Sequence, residues 1–307
     1  MKKIILFLVG FTAVSCVSDE VIGNETSNSL ATIKVNEYRD DVLLYSKIMH
    51  FSNDKLTKVT YSGNVSEENY ENYSYNSKGL LSKAVRYQYP ENLYTVTTFS
   101  YDSEEQIVEI NSQRDLPNSE TNNLDDKFTF TYLTDKIVSS VYYKNNFMNS
   151  SEFLLNSNQE PKRINKPSSY SKEYNYDNGN IVSATSFDPD MSSNTTTYSY
   201  SSLKNEYDYS KFLYGEKWKL NKYFIGYTVG LTTGEGDALF SFSKNLISEY
   251  RTISVPSNPG LHNNHIKYDY VINDKNLLEK KTITNVRYST KYSPLTFRTE
   301  YLYTYKW

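Results

Sequence analysis

One thiol, three imidazoles and 36 carboxylates are the groups in this 307-residue chain that could carry covalent, metal or acid–base chemistry. The thiol belongs to Cys16, in Ala13-Val14-Ser15-Cys16. A single cysteine can form no intramolecular disulfide. His262-Asn263-Asn264-His265 could bring two imidazoles to one metal, but no companion ligand motif follows, and His50 is isolated. No metal site and no cofactor are expected. Neither Gly-x-Ser-x-Gly nor His-Glu-x-x-His occurs. The acid pairs Glu104-Glu105 and Asp125-Asp126 read as solvated turn residues. Asp188-Pro189-Asp190 and Gly234-Glu235-Gly236-Asp237 lack the ligand spacing of an EF-hand loop. A glycoside-hydrolase dyad would consist of spatial neighbours, and nothing in the order of residues selects one. The chain reads as non-catalytic, with a glycoside hydrolase-like enzyme as the weakest alternative.

The elements that would position such groups begin at the amino terminus. Lys2 and Lys3 precede an apolar run from Ile4 to Val14. That run is too short to cross a bilayer as a helix, which takes about 20 residues, and it suits a secretory signal peptide over residues 1–15. A small residue before the sole cysteine looks like a lipobox. On that reading the Cys16 thiol carries a lipid, leaving no thiol nucleophile, and the anchor ties the chain to a membrane. Each buried methylene would contribute roughly 0.8 kcal/mol. Ser18, Asp19 and Glu20 match a surface-export signal. Residues 16–32 are polar and aperiodic, a flexible tether. The expected location is the outer membrane or cell surface. A net charge of -3 without a basic cluster excludes nucleic acid as the expected partner.

Residues 33–307 read as one domain governed by a repeat. Tyr73-Ser74-Tyr75, Phe99-Ser100-Tyr101, Phe128-Thr129-Phe130, Tyr174-Asn175-Tyr176, Tyr198-Ser199-Tyr200 and Tyr268-Asp269-Tyr270 place two aromatics around one polar residue. In a strand, residues i and i+2 share a face. One face is therefore aromatic and the other wet. Turn formers follow, such as Asn76-Ser77-Lys78-Gly79 and Asp177-Asn178-Gly179-Asn180, and then a second apolar run begins. Each unit is a hairpin, and neighbouring hairpins must add side by side to cover their aromatic faces. The expected fold is all-β: a long antiparallel meander of 14 to 20 strands, on the order of two per repeat, in a strongly curved or wrapped sheet. The rhythm fails at about 201–239, where Asn205–Tyr214 could be a short helix or an extended insertion. Trp218, Tyr223 and Tyr227 fall outside the repeat there, and are the candidate ligand-binding aromatics.

The unit Tyr-x-Tyr-Asp/Asn-x-x-Gly-x-Leu/Ile, seen at Tyr73 to Leu81 and Tyr174 to Val182, resembles the YD repeat of the RHS family. Over nearly its full length the chain is similar to a family of Bacteroidota lipoproteins of unknown function. The likeness rests on the lipobox, the degenerate repeats, Ser243-Lys244-Asn245-Leu246 and the alternating tyrosines from Tyr301 to Tyr305. That resemblance implies a β-rich fold in the outer envelope and transfers no catalytic residue. The expected role is binding or scaffolding by a lipoprotein, with a glycan, an envelope component or a protein as partner. A dedicated glycan-binding lipoprotein of a nutrient-uptake system is the alternative. An exposed aromatic row would favour it, and aromatics buried on the concave side would weaken it.

Overall fold

The computed structural model describes residues 29–115, 124–166, 171–188, 191–205, 210–228, 239–254, 263–288 and 294–306. Eighteen strands follow one another: β1 (Ser29–Arg39), β2 (Val42–Ser52), β3 (Lys55–Gly63), β4 (Tyr70–Tyr75), β5 (Leu81–Gln88), β6 (Leu93–Tyr101), β7 (Ile107–Asp115), β8 (Leu124–Tyr132) and β9 (Lys136–Tyr143). The second half comprises β10 (Asn146–Leu155), β11 (Pro161–Asn165), β12 (Ser171–Asp177), β13 (Asn180–Asp188), β14 (Met191–Lys204), β15 (Asn245–Ser254), β16 (Asn263–Ile272), β17 (Leu278–Tyr288) and β18 (Leu295–Lys306). Every strand pairs antiparallel with its neighbours in the chain, and β18 pairs back onto β1. The meander is thus a closed barrel without a free edge. The strand begins at Ser29, so residues 29–32, expected in the tether, already belong to the sheet.

The turns explain the register. Asp40-Asp41, Asn53-Asp54, Lys144-Asn145 and Asn178-Gly179 each place two consecutive residues at positive φ. This is the two-residue hairpin turn whose twist matches paired strands. Four further turns use an Asx cap. Asn76 Oδ1 accepts from the backbone N–H groups of Lys78 and Leu80, and Asp102, Asn156 and Asn273 repeat the pattern. Each such turn carries a one-residue register shift, as between Ser74 and Tyr75.

The repeated aromatics face inward. Tyr73, Phe99, Phe130, Phe153 and Tyr174 are buried with Ile107, Ile137 and Ile181 in one core, while the intervening Ser74, Ser100 and Asn175 are exposed. The second tyrosine of a unit donates its hydroxyl to a carbonyl near the start of the preceding strand. Tyr75 reaches Leu56 O at 2.6 Å, Tyr101 reaches Leu81 O at 2.8 Å, and Tyr132 reaches Ile107 O at 2.8 Å. Tyr176, Tyr200, Tyr270 and Tyr305 do the same to Pro161, Ile181, Ile247 and Leu278 at 2.7–2.9 Å. Phe51 and Leu155 occupy the equivalent places in β2 and β10 and lack the hydroxyl. Each bond contributes about 0.5–1.5 kcal/mol.

Burial raises the pKa of Tyr75, Tyr101, Tyr132, Tyr176 and Tyr200, and pushes Tyr200 up to about 12. An unfolded tyrosine ionises near pH ~10. Their contribution to stability is therefore full below that pH and is lost as pH rises through the folded values. Alkaline titration followed by tyrosinate absorbance and circular dichroism is expected to show the inward tyrosines ionising only as the sheet unfolds. One smooth ionisation with the sheet intact would disprove the stitching.

Candidate functional site

Three features divide the barrel along its axis: a helical plug at one end, a polar lumen, and an apolar rim at the other end. The plug is the insertion between β14 and β15. It contains helix α1 (Ser210–Tyr214), helix α2 (Trp218–Thr228) and a 3₁₀ turn (Leu239–Phe242). Leu213, Tyr214, Phe224 and Ile225 are all fully buried and belong to the barrel core. Phe224 packs against Phe130, Phe153 and Tyr132, with ring centroids 4.5, 5.2 and 6.5 Å away.

Polar bolts hold the plug at the tight-turn end. Asn221, also fully buried, donates to Glu105 O at 2.7 Å and Tyr214 O at 3.1 Å, and accepts from Ile107 N–H at 3.1 Å. The Glu105 carboxylate accepts from Glu216 N–H at 3.1 Å, just before α2. Glu105 is thus a plug contact rather than a solvated turn acid. The Ser243-Lys244-Asn245 motif returns the chain to the sheet. Ser243 Oγ accepts from Ile181 N–H, Lys244 N–H donates to Gly179 O, and Asn180 and Asn245 exchange hydrogen bonds.

Beyond the core the lumen wall turns polar. Glu71 is fully buried on the inner face of β4, beside Arg86 of β5. Arg86 Nε donates to Glu71 Oε1 at 2.9 Å, Tyr61 donates to the same oxygen at 2.8 Å, and Tyr73 donates to Oε2. Burial alone would raise the pKa of this carboxyl. The Arg86 charge, the two phenols and Lys47 outweigh that and hold it below the usual carboxylate range. Lys172 on β12 faces the lumen opposite Ile164, and burial lowers its pKa. Asp126, expected in a turn, lies within β8 opposite the inward Ser112.

The outer face is charged. Ion pairs recur around the circumference: Lys127–Glu109 at 3.0 Å, Lys136–Glu152 at 2.6 Å, Arg163–Glu173 at 2.8 Å and Lys280–Glu300 at 2.8 Å. A charge facing hydrocarbon at mid-bilayer costs roughly 2–4 kcal/mol. The wall therefore suits water, with its apolar face turned inward. No helix among the described residues is long and apolar enough to cross a membrane.

Apolar side chains return on the rim opposite the plug. Val42, Phe147, Met148 and Ile253 are the most exposed large hydrophobics described, at 65%, 60%, 57% and 61%. Leu43, Tyr89, Tyr94, Phe187 and Tyr288 join them near strand ends on the same rim. Outward Tyr70, Tyr87 and Tyr94 form a ladder with centroids 5.4 and 4.8 Å apart. An open cavity of about 490 Å³ lies between Ile253, His265 and Tyr288. The links 116–123, 167–170, 189–190, 255–262 and 289–293 join strand ends here and lie outside the described residues.

The candidate aromatics of the insertion separate. Tyr223 is buried in the plug, its ring 5.9 Å from those of Phe153 and Phe242. This corrects the expectation of a ligand-facing ring: Tyr223 is a core residue. Trp218 is half-buried against the same core, and Tyr227 is 37% exposed beside Lys166. Cys16, Ser18, Asp19, Glu20 and His262 lie outside the described residues. His265 pairs with Glu249 at 2.8 Å on the outer face, and His50 contacts Thr60 at 3.1 Å. No group of three or more His, Cys, Asp or Glu residues able to hold a metal occurs among the described residues. The rim escaped sequence reading because its residues come from many turns, each apolar only locally.

No protein-family model matches the chain, and no curated protein does. Among solved structures, a porin-like protein from Bacteroides uniformis is 14% identical, with a TM-score of 0.47, over 90% of this chain and 98% of that one. A porin-like protein from Bacteroides vulgatus is 13% identical, with a TM-score of 0.40, over 90% and 99%. The TcdB2-TccC3-Cdc42 structure is 12% identical, with a TM-score of 0.29, over 84% of this chain and 15% of that one.

Proposed function

We propose that this chain is a non-catalytic lipoprotein of the cell envelope, anchored through Cys16, that binds or scaffolds a partner at the surface with its apolar rim. The observation that carries the reading is the exposure of Val42, Phe147, Met148 and Ile253 near one end of a barrel whose outer wall carries recurring ion pairs. The strand β1 starts at the plug end, where Leu30 pairs with Tyr305, opposite the apolar end. The repeat aromatics fill the core, which weakens the dedicated glycan reading, whereas the outward Tyr70, Tyr87 and Tyr94 ladder is an aromatic row of the kind that would favour it.

Two measurements test the proposal. Growth with a clickable fatty acid is expected to label the protein, and Cys16→Ala to remove the label; a labelled variant would refute the anchor. A photo-crosslinking residue at position 147 is expected to give adducts in cells, whereas one at position 282 on the mid-wall gives few. Equal yields would refute the rim.

A further inference from the structure

We propose that the outer face of β4 to β6 is a docking surface for an arginine-bearing segment of a partner protein. The site uses none of Val42, Phe147, Met148 or Ile253, so it goes beyond the reading above. Its residues form one row by register. Tyr70 pairs with Tyr87, Tyr87 with Tyr94, and Tyr94 with Asp115 of β7. The three rings stack along that row. Tyr87 donates to Asn92 Oδ1 at 2.6 Å, and Tyr70 and Tyr94 hydrogen-bond to each other. With the hydroxyls tied, the row offers a ligand chiefly ring surface, and Tyr94 at its end is 41% exposed. Glu67 and Glu68 come just before Tyr70, and Glu91 sits in the turn between β5 and β6. With Asp115 they border the row with four exposed carboxylates.

Charge decides the occupant. Elsewhere on the outer wall Glu109, Glu152, Glu173 and Glu300 each meet a Lys or Arg at 2.6–3.0 Å. Glu67, Glu68, Glu91 and Asp115 have no such partner among the described residues. The basic residues at this level, Arg86 and Arg114, share the inner face, each opposite Thr95. The chain itself shows what the ladder lacks. Arg298 lies over Tyr38, 4.3 Å from the ring centroid, and 3.4 Å from Asp41. Among the described residues no Lys or Arg stands over Tyr70, Tyr87 or Tyr94. A guanidinium is planar, stacks on aromatic faces and forks onto carboxylates. A partner's arginine would complete here the arrangement that Arg298 makes within the chain. The unpaired negative charge repels an anionic lipid or an acidic glycan.

Fluorescence anisotropy of a labelled peptide alternating arginine and glycine, titrated with the full chain carrying Cys16→Ala, tests the docking. Saturable binding is expected at physiological salt, weakening as salt rises. The triple variant Glu68→Gln, Glu91→Gln, Asp115→Asn should lower the affinity about tenfold, and Tyr94→Ser should lower it several-fold, each with an unchanged thermal transition. Glu109→Gln, Glu152→Gln, Glu173→Gln removes as much negative charge from the ion-paired wall and should leave the affinity within about twofold. Five results would overturn the proposal: no saturable binding, equal losses in the two triple variants, full affinity in Tyr94→Ser, a lysine–glycine peptide binding as tightly, or retention of neutral cellohexaose in place of the peptide. Fatty-acid labelling and crosslinking at position 147 read neither the ladder nor its carboxylates, so the two proposals fall separately.

Discussion

Arg86→Met, with Glu71 left in place, is expected to destabilise the barrel by about 3–5 kcal/mol, the cost of stranding a buried charge. Glu71 is fully enclosed, and the Arg86 guanidinium lies 2.9 Å from its carboxylate. The double variant Glu71→Leu, Arg86→Met should recover most of the loss, because hydrophobic replacement of a buried pair is often neutral. The pH dependence separates the two variants. In the native barrel the Glu71 carboxyl lies below its ordinary value. Its contribution is present above the unfolded carboxyl value of about 4.3 and is lost as pH falls through the lower folded value. In Arg86→Met the largest cause that lowers this pKa is gone, so the carboxyl should titrate higher than in the native barrel and the loss of stability on acidification should shrink. Urea unfolding at several pH values reads both effects. A cost below about 1 kcal/mol, the range of an exposed pair, would show that the node is solvated.

Phe224→Ala should cost a similar amount, about 3–5 kcal/mol, through the cavity left at the centre of the plug. The ring is fully buried and meets aromatics of two strands, β8 and β10, so relaxation cannot close the gap without moving Phe130 and Phe153. Hydrogen exchange should place the damage. Amides of α2 and of β8 to β10 should lose protection first, whereas β15 to β17 pack around Ile266 and Tyr268 in a separate cluster. Tyr227→Ala, one turn further along at an exposed position, should cost far less. Equal costs at the two sites would mean that the plug does not pack as described.

Alternation was legible because it is local. Tyr73 and Tyr75 share a face whatever the sheet does, and the Asn76 and Asp102 turns act within a few residues. Hairpins, strand number and the segregation of rings to one side follow from these. The bolts of the plug were not legible. Glu105 and Asn221 are 116 residues apart, and neither belongs to a motif. Asp125-Asp126 looked like a turn because acids favour turns, yet both continue β8, where pairing with β7 overrides propensity.

The sequence by itself determined a chain of two-faced hairpins preceded by an apolar leader and a lone cysteine. Only the tertiary structure decided that β18 closes on β1, that the aromatic side is the inside, that Tyr223 is core, and that apolar residues near distant turns are exposed at the end opposite the plug. The reason is range. Face and turn are set by backbone geometry over a few residues, whereas closure and rim depend on contacts between residues far apart in the chain, whose register no local pattern specifies.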